Sequence, residues 1–314
     1  MQTESKQNGY QEVADSALSN YSIGEAHLKY LGQRDHVTFK VETDKEKYLL
    51  KIHRDASTSS RIEAELLWLE ALSSDTKLIV PKPVRNDKDC LVTEWKSSLV
   101  TLHHWVEGVV LNRQPSGDEV IRLSKMMALL HNHAKSWKLP RGFDRPAYDT
   151  ELLQSYLPKL LVLQESGIIT KMDYEAIDET VSQIIHDTSR LEKTNLTWGL
   201  IHSDLHESNY VVHQDSIRPI DFSCCGFGYY LFDVAETLLH LYPDNRKLFL
   251  HNYLQQRALS KLQVRTLEAF FLWQVIRGYA FHSTNVHEHE WLAKSVPNTV
   301  SKYCRKYMAV EHFL

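Results

Sequence analysis

The chain has 314 residues, 43% of them hydrophobic and 24% charged, with 36 Lys and Arg against 40 Asp and Glu and a formal net charge of −4. This is globular composition, and a chain with no basic excess is not held on nucleic acid by charge. No run reaches the ~18 apolar residues of a membrane helix, the polar start lacks a signal-peptide core, and four scattered cysteines make no disulfide framework; the expectation is a cytoplasmic protein with reduced thiols, no nucleic-acid or membrane partner, and about two lobes.

Residues 1–20 read as a polar lead-in or a short surface helix. Short alternating runs follow: His27 to Leu31, Val37 to Val41 and, after a charged turn, Tyr48 to Ile52, the pattern of an antiparallel meander. From Ser57 to Leu72 the period becomes helical through Ile62, Leu66 and Leu69, with Ser57 to Ser60 as candidate caps. Pro81 and Pro83 stop regular structure. Cys90 to Trp95 and Leu99 to Leu102 read as two more strands. Beyond Gly108 the chain is mostly helical, with helices expected over Val120 to His133, Leu152 to Gln164, Tyr174 to Leu191, Leu231 to Leu241 and Gln263 to Ala280. The expected organisation is a lead-in at 1–20, a nucleotide-binding N-lobe at 21–104, and a helical C-lobe at 105–314 with a catalytic loop at 199–233 and an acceptor pocket.

The chemistry concentrates in Gly199 to Gly228. Tyr210-Val211-Val212 and Arg218-Pro219-Ile220 suit a hairpin around Gln214-Asp215-Ser216, which would bring His202, Asp204 and Asn209 to face Asp221. Two carboxylates and an amide oxygen are hard donors of the kind Mg²⁺ takes while keeping positions for water and phosphate. Lys51 on a strand could reach the phosphates, with Glu65 on the next helix as its ion-pair partner. These are the parts of kinase-type phosphoryl transfer. Singly, each Asp or Asn is a turn former and Lys51 a solvated lysine; together they favour the functional reading.

His202-x-Asp204-x-x-x-x-Asn209, with Asp221 after an isoleucine, resembles the signature of aminoglycoside phosphotransferase-like kinases. That group includes choline kinases, type II homoserine kinases and bacterial stress-response kinases. The Asp204-Leu205-His206 run is the form these enzymes use. Trp105 to Gly108 resembles the inter-lobe hinge, Trp137 to Asp149 with Arg145-Pro146 the start of the helical lobe, and Phe232 to Ala235 the segment after the metal loop. The resemblance spans roughly 25–245. It implies an α+β, protein-kinase-like two-lobe fold, with a small antiparallel five-strand N-lobe carrying one helix. It implies ATP, or GTP, as donor and Mg²⁺ held by Asn209 and Asp221. Asp204 would be the base and His202 would orient its loop. Lys51, Glu65, Gly32 and the hinge residues His103, His104, Trp105 and Val106 would bind the nucleotide.

Two features depart from the pattern. The loop Gly32 to His36 holds one glycine, and Ser223 stands where protein kinases carry glycine. Glu63 competes with Glu65, but lies two residues away on another helix face. His206 reads as a local hydrogen-bonding residue and Asp233 as a buried acceptor for loop amides. Cys224-Cys225 read as structural thiols. His131/His133 and His287/His289 read as surface residues, and Phe270, Phe271, Trp273 and Tyr279 as core. The segment from Phe222 to Phe232 is short, lacks Ala-Pro-Glu and offers no peptide shelf, so the expected acceptor is a small-molecule hydroxyl, with Glu236, Asp244 or Glu268 suited to an amine. A stress-response-type protein Ser/Thr kinase is the rival within enzymes, and a pseudokinase binding module the rival outside them.

Overall fold

The computed structural model describes residues 2–33, 36–54, 58–257 and 264–314. In chain order the elements are α1 (Gln2–Leu18), β1 (His27–Gln33), β2 (His36–Glu42), β3 (Lys47–His53), α2 (Ser59–Asp75), β4 (Pro83–Val84), β5 (Thr93–Trp95), β6 (Ser98–His104) and α3 (Gly117–Ser136). Then come α4 (Thr150–Gln154), α5 (Leu157–Glu165), α6 (Lys171–Thr188), β7 (Trp198–Ile201), β8 (Tyr210–His213), β9 (Ser216–Pro219), β10 (Gly226–Tyr229), α7 (Tyr230–Leu239), α8 (Pro243–Gln256), α9 (Val264–His282) and α10 (His289–Thr299), with short helical turns to Met308. The expected loop residues Arg34 and Asp35, the cap candidate Ser57 and the helix start Gln263 lie outside the described residues.

The chain forms two compact units. The first comprises Met1–Val110, Lys138–Arg145 and Asn209–Ser223. Its sheet runs β1-β2-β3-β6-β4, with β5 also on β6, and every pairing is antiparallel. Val37, Phe39 and Val41 alternate inward along β2 and join Leu50, Ile52, Val100 and Leu102 in one core. The five expected strands are present, joined by the two-residue β4, where the Lys82 carbonyl beside Pro83 accepts from His104 N–H at 2.8 Å. Residues 2–18 are a full helix, and Ala14, Ala17 and Leu18 seal the same core. Small residues let that helix lie close to the sheet, and they give little apolar signal in sequence.

The second unit comprises Leu111–Trp137, Pro146–Ser208 and Cys224–Leu314. Helix α9 buries Phe270, Phe271, Trp273 and Tyr279 as expected for core, and α7 adds Phe232. The single helix expected over Leu152 to Gln164 is two, because Pro158 opens a new helix at its first turn. β7 pairs with β10, a ladder the sequence did not announce. Gly226 and Gly228 sit in β10. A Cβ there would collide with the Pro146 carbonyl and the Ile201 side chain, so close approach is what requires glycine.

Candidate active site

In the first unit Lys51 lies mid-strand on β3, opposite Thr38 of β2 and Thr101 of β6. Its Nζ donates to Asp221 Oδ1 at 3.1 Å, and its side chain is only 7% exposed. Asp221 has φ 56°, a left-handed backbone that costs an aspartate less than most residues. The Lys51 charge, together with a 2.7 Å hydrogen bond from Ser223 Oγ, holds the Asp221 carboxyl far below its ordinary range and outweighs the partial desolvation that pushes the other way, the side chain being 48% exposed. Ser223 Oγ also meets His36 Nε2 at 3.1 Å. A serine at this position therefore braces the carboxylate directly, which glycine cannot do.

The expected hairpin is present: β8 pairs with β9, with Val211 opposite Arg218. Just past it, Ile220 N–H donates to the Asn209 carbonyl at 2.8 Å. The hairpin thus returns the chain so that Asn209 and Asp221 flank one closing hydrogen bond. Phe222 is buried and packs edge-on against Trp68 of α2, ring centroids 5.5 Å apart. On α2, Glu65 is 4% exposed and Glu63 is exposed. The Glu65 carboxylate lies 3.9 Å from Arg145. Arg145 also donates to Arg61 O at 3.0 Å and Ser223 O at 2.6 Å, tying α2 to the segment after Asp221.

The remaining nucleotide candidates are also in this unit. Gly32 lies near the end of β1, at a register shift opposite Thr38. His103 is buried on β6 between the Pro81 carbonyl, 3.2 Å away, and Thr101 Oγ1 at 3.0 Å. Burial pushes it down to about 3, so it is a neutral wall of the sheet. His104 N–H and Trp105 N–H are committed to the Lys82 and Lys47 carbonyls, and Val106 is buried.

In the second unit His202 and Asp204 follow β7. Asp233 on α7 is fully buried, accepting from His202 N–H at 2.9 Å and Ser203 N–H at 2.7 Å. It also meets His131 Nε2 at 3.0 Å, and His131 Nδ1 reaches Tyr253 Oη at 2.8 Å. Burial alone would raise the Asp233 carboxyl; these partners hold it low. The surface reading of His131 and His133 is corrected: both are buried, because α3 packs against both α8 and β7.

Ser203 has φ 69°. Its carbonyl accepts from Arg277 of α9 at 2.5 Å, and the Leu205 carbonyl accepts from Thr237 of α7 at 2.8 Å. Burial would raise Asp204, but His206 and the charges of Arg277 and His202 lower it. His206 Nε2 is 3.7 Å from Asp204 Oδ2 and stacks on His240, which sits between Glu207 and Glu236 at 3.3 and 3.4 Å. Among the acidic residues considered for an amine, Glu236 faces His240, Glu268 binds His312 and the 313 and 314 amides, and Asp244 is exposed. Sequence reasoning placed Arg145 only within a family segment, read His131 as a surface residue and did not single out Arg277, because a lone polar residue carries no signal of what it will meet.

The sequence pattern of the phosphotransferase enzyme family matches residues 28–278. The amicoumacin kinase of Bacillus subtilis (strain 168) is 22% identical over 260 residues, covering 78% of this chain and 74% of the relative. A microcompartment-associated aminopropanol kinase superposes with a TM-score of 0.80 at 24% identity, over 95% of this chain and 98% of that one. An amicoumacin kinase in complex with AMP-PNP, Ca²⁺ and Ami superposes at 0.76 and 17% identity, over 99% and 97%. With the α+β two-lobe class, the lysine–aspartate pair and the asparagine hairpin in place, the match settles the family: the chain belongs to the phosphotransferase enzyme family, and it is a kinase.

Proposed function

We propose that the protein transfers the γ-phosphoryl of ATP to a hydroxyl of a small molecule. Lys51 positions the phosphates, and Asn209 and Asp221 hold Mg²⁺. Lys51 and Ser223 both hold Asp221 through Oδ1. An ionised carboxylate and an amide oxygen suit a hard cation that takes its other ligands from phosphate and water. Held there, the cation would supply neutralisation of the charge that develops on the transferred group. Asp204 accepts or orients the hydroxyl proton, and His202 anchors its loop. Because such transition states are loose, positioning and charge neutralisation supply most of the acceleration.

The observation that carries this reading is the Lys51–Asp221 pair, closed by Ser223 and set beside Asn209 by the hairpin. A small acceptor is favoured by how the chain after Asp221 is spent. The Cys224 carbonyl takes the Tyr148 hydroxyl, residues 226–229 are paired with β7, and α7 begins at Tyr230. That leaves little length for a peptide shelf or a segment ordered by phosphate. The names of the aminopropanol and amicoumacin kinases support an amine-bearing acceptor.

The test is ADP release with Mg·ATP or Mg·GTP against amino alcohols, aminoglycosides, amicoumacin-type compounds and sugars, with generic protein substrates in parallel. Enzyme treated with phosphatase should keep full activity on a small hydroxyl compound. Transfer only to protein, or activity lost with the phosphatase, would overturn the reading.

A further inference from the structure

Backbone groups near a reacting carboxylate must all find partners, and here the partners can be followed peptide by peptide. The amides of His202 and Ser203 go to the two oxygens of Asp233. The Asp204 carbonyl takes His206 N–H at 3.2 Å, and the Leu205 carbonyl takes Thr237 Oγ1. Between these stands the Ser203–Asp204 peptide. Its carbonyl is held by Arg277 Nη1, which also reaches Ser203 Oγ at 3.3 Å and Gln274 Oε1 at 3.2 Å. Gln274 Nε2 donates in turn to the Phe232 carbonyl at 3.2 Å, one residue before Asp233. The guanidinium lies 5.3 Å from the centre of the Tyr148 ring. Two charged groups on different helices therefore grip consecutive peptides around Ser203, a serine with a left-handed φ of 69°.

We propose that Arg277 is a positioning residue: it fixes the Ser203–Asp204 peptide and so aims the Asp204 carboxylate. The inference rests on the reading of Asp204 as the proton acceptor. A left-handed serine is unfavourable on its own and persists where its surroundings determine it. Charge-assisted hydrogen bonds on either side of Ser203 supply that determination. Without the guanidinium the peptide can rotate, and the carboxylate that follows it leaves its place. Helix α9 lies far along the chain from the motif, and a lone arginine on it has no local signature.

The experiment is steady-state kinetics on the whole enzyme with Asp204→Asn as reference. Arg277→Met should lower kcat about 100-fold, the scale of a misplacement of about 1 Å, and leave the KM for ATP nearly unchanged. Arg277→Lys should retain at least about ten times the Met variant's kcat, because it keeps a charged donor. Ser203→Gly combined with Arg277→Met should recover activity relative to Arg277→Met alone, since glycine adopts a positive φ without penalty. The groups that set the Asp204 charge are His206 on its own loop, His202 at the end of β7 and Arg277 on α9. Losing the last should move the acid limb of kcat/KM to higher pH in the Met variant and less in the Lys variant. Should Arg277→Met fail to fold, the Lys variant and its combination with Ser203→Gly read the same quantities. A kcat within about threefold of the parent, or a parallel loss of ATP affinity, would overturn the proposal. If Asp204→Asn itself kept turnover, the base assignment would fall instead.

Discussion

The two candidate aspartates are held in opposite ways. Asp221 is fixed through its side chain, by the Lys51 ammonium and the Ser223 hydroxyl on one oxygen. Asp204 is fixed through its backbone, with its neighbours' peptide groups gripped by Asp233, Arg277 and Thr237. On the proposed roles, the difference follows from what each would do. A carboxylate that ligates a metal must stay ionised, and a lysine beside it secures that. A proton acceptor must keep its carboxylate available, so its geometry has to be imposed from behind.

The largest effect should separate the two directly. Asp204→Asn keeps shape and removes the proton acceptor; turnover should fall about 10²- to 10⁴-fold with Mg·ATP affinity kept. Lys51→Ala should weaken Mg·ATP itself, because the phosphates then lose the charge that positions them. Nucleotide titration beside single-turnover rates would read both, and equal losses in both quantities for both variants would collapse the distinction.

Next in size is the grip from behind. Asp233→Ala would strand two buried amides and His131 Nε2 without their acceptor, at ~1–3 kcal/mol for each such group. A loss of several kcal/mol in denaturant unfolding is expected, with Asp233→Asn milder. A small loss would mean that the loop can find other acceptors.

Acid should act on the first unit through its sheet. His103 is held neutral down to about 3, and His53 is likewise lowered by burial. The unfolded chain protonates such groups near 6.5. Their contribution to stability is thus present above pH 6.5 and lost as the pH falls toward about 3. In the second unit His240 is raised to about 9, although burial opposes it, by Glu207 and Glu236. Its contribution is complete below 6.5 and lost as the pH rises through about 9. Melting curves across this range should show His103→Gln flattening the acid side and His240→Gln the alkaline side; the reverse pattern would refute both assignments.

How far the sequence reveals such features depends on how local they are. β2 and β3 were legible because Val37, Phe39 and Val41 in one and Tyr48, Leu50 and Ile52 in the other recur at every second position. The nearness of Asn209 to Asp221 was legible because the β8–β9 hairpin between them is local in sequence. β7 and β10 were not: each is four residues long, and their glycines serve contacts with chain far away in sequence. α8 buries only Phe249 and Tyr253, too few for a helical stripe. Arg277, Arg145 and His131 depend on partners some 70 to 120 residues distant, information that no local pattern holds.

The smallest expected effect concerns the first turns of the two helices that open each unit's long packing face. On α3, Ser116 and Glu119 form a full capping box: Glu119 Oε2 accepts from Ser116 N–H at 2.7 Å, and Arg113 pairs with the same carboxylate at 2.7 and 2.8 Å. On α2, Thr58 accepts from Arg61 N–H at 3.4 Å, and no acidic residue lies in the first turn. A reciprocal box satisfies two amides where a lone cap satisfies one. Ser116→Ala should therefore cost about 1 kcal/mol and Thr58→Ala about half that, since a long bond to an exposed threonine is the weaker case. Thermal unfolding of the two variants would measure the ordering. Equal costs would show that the tail of Glu119, held by Arg113, caps α3 without help from the serine.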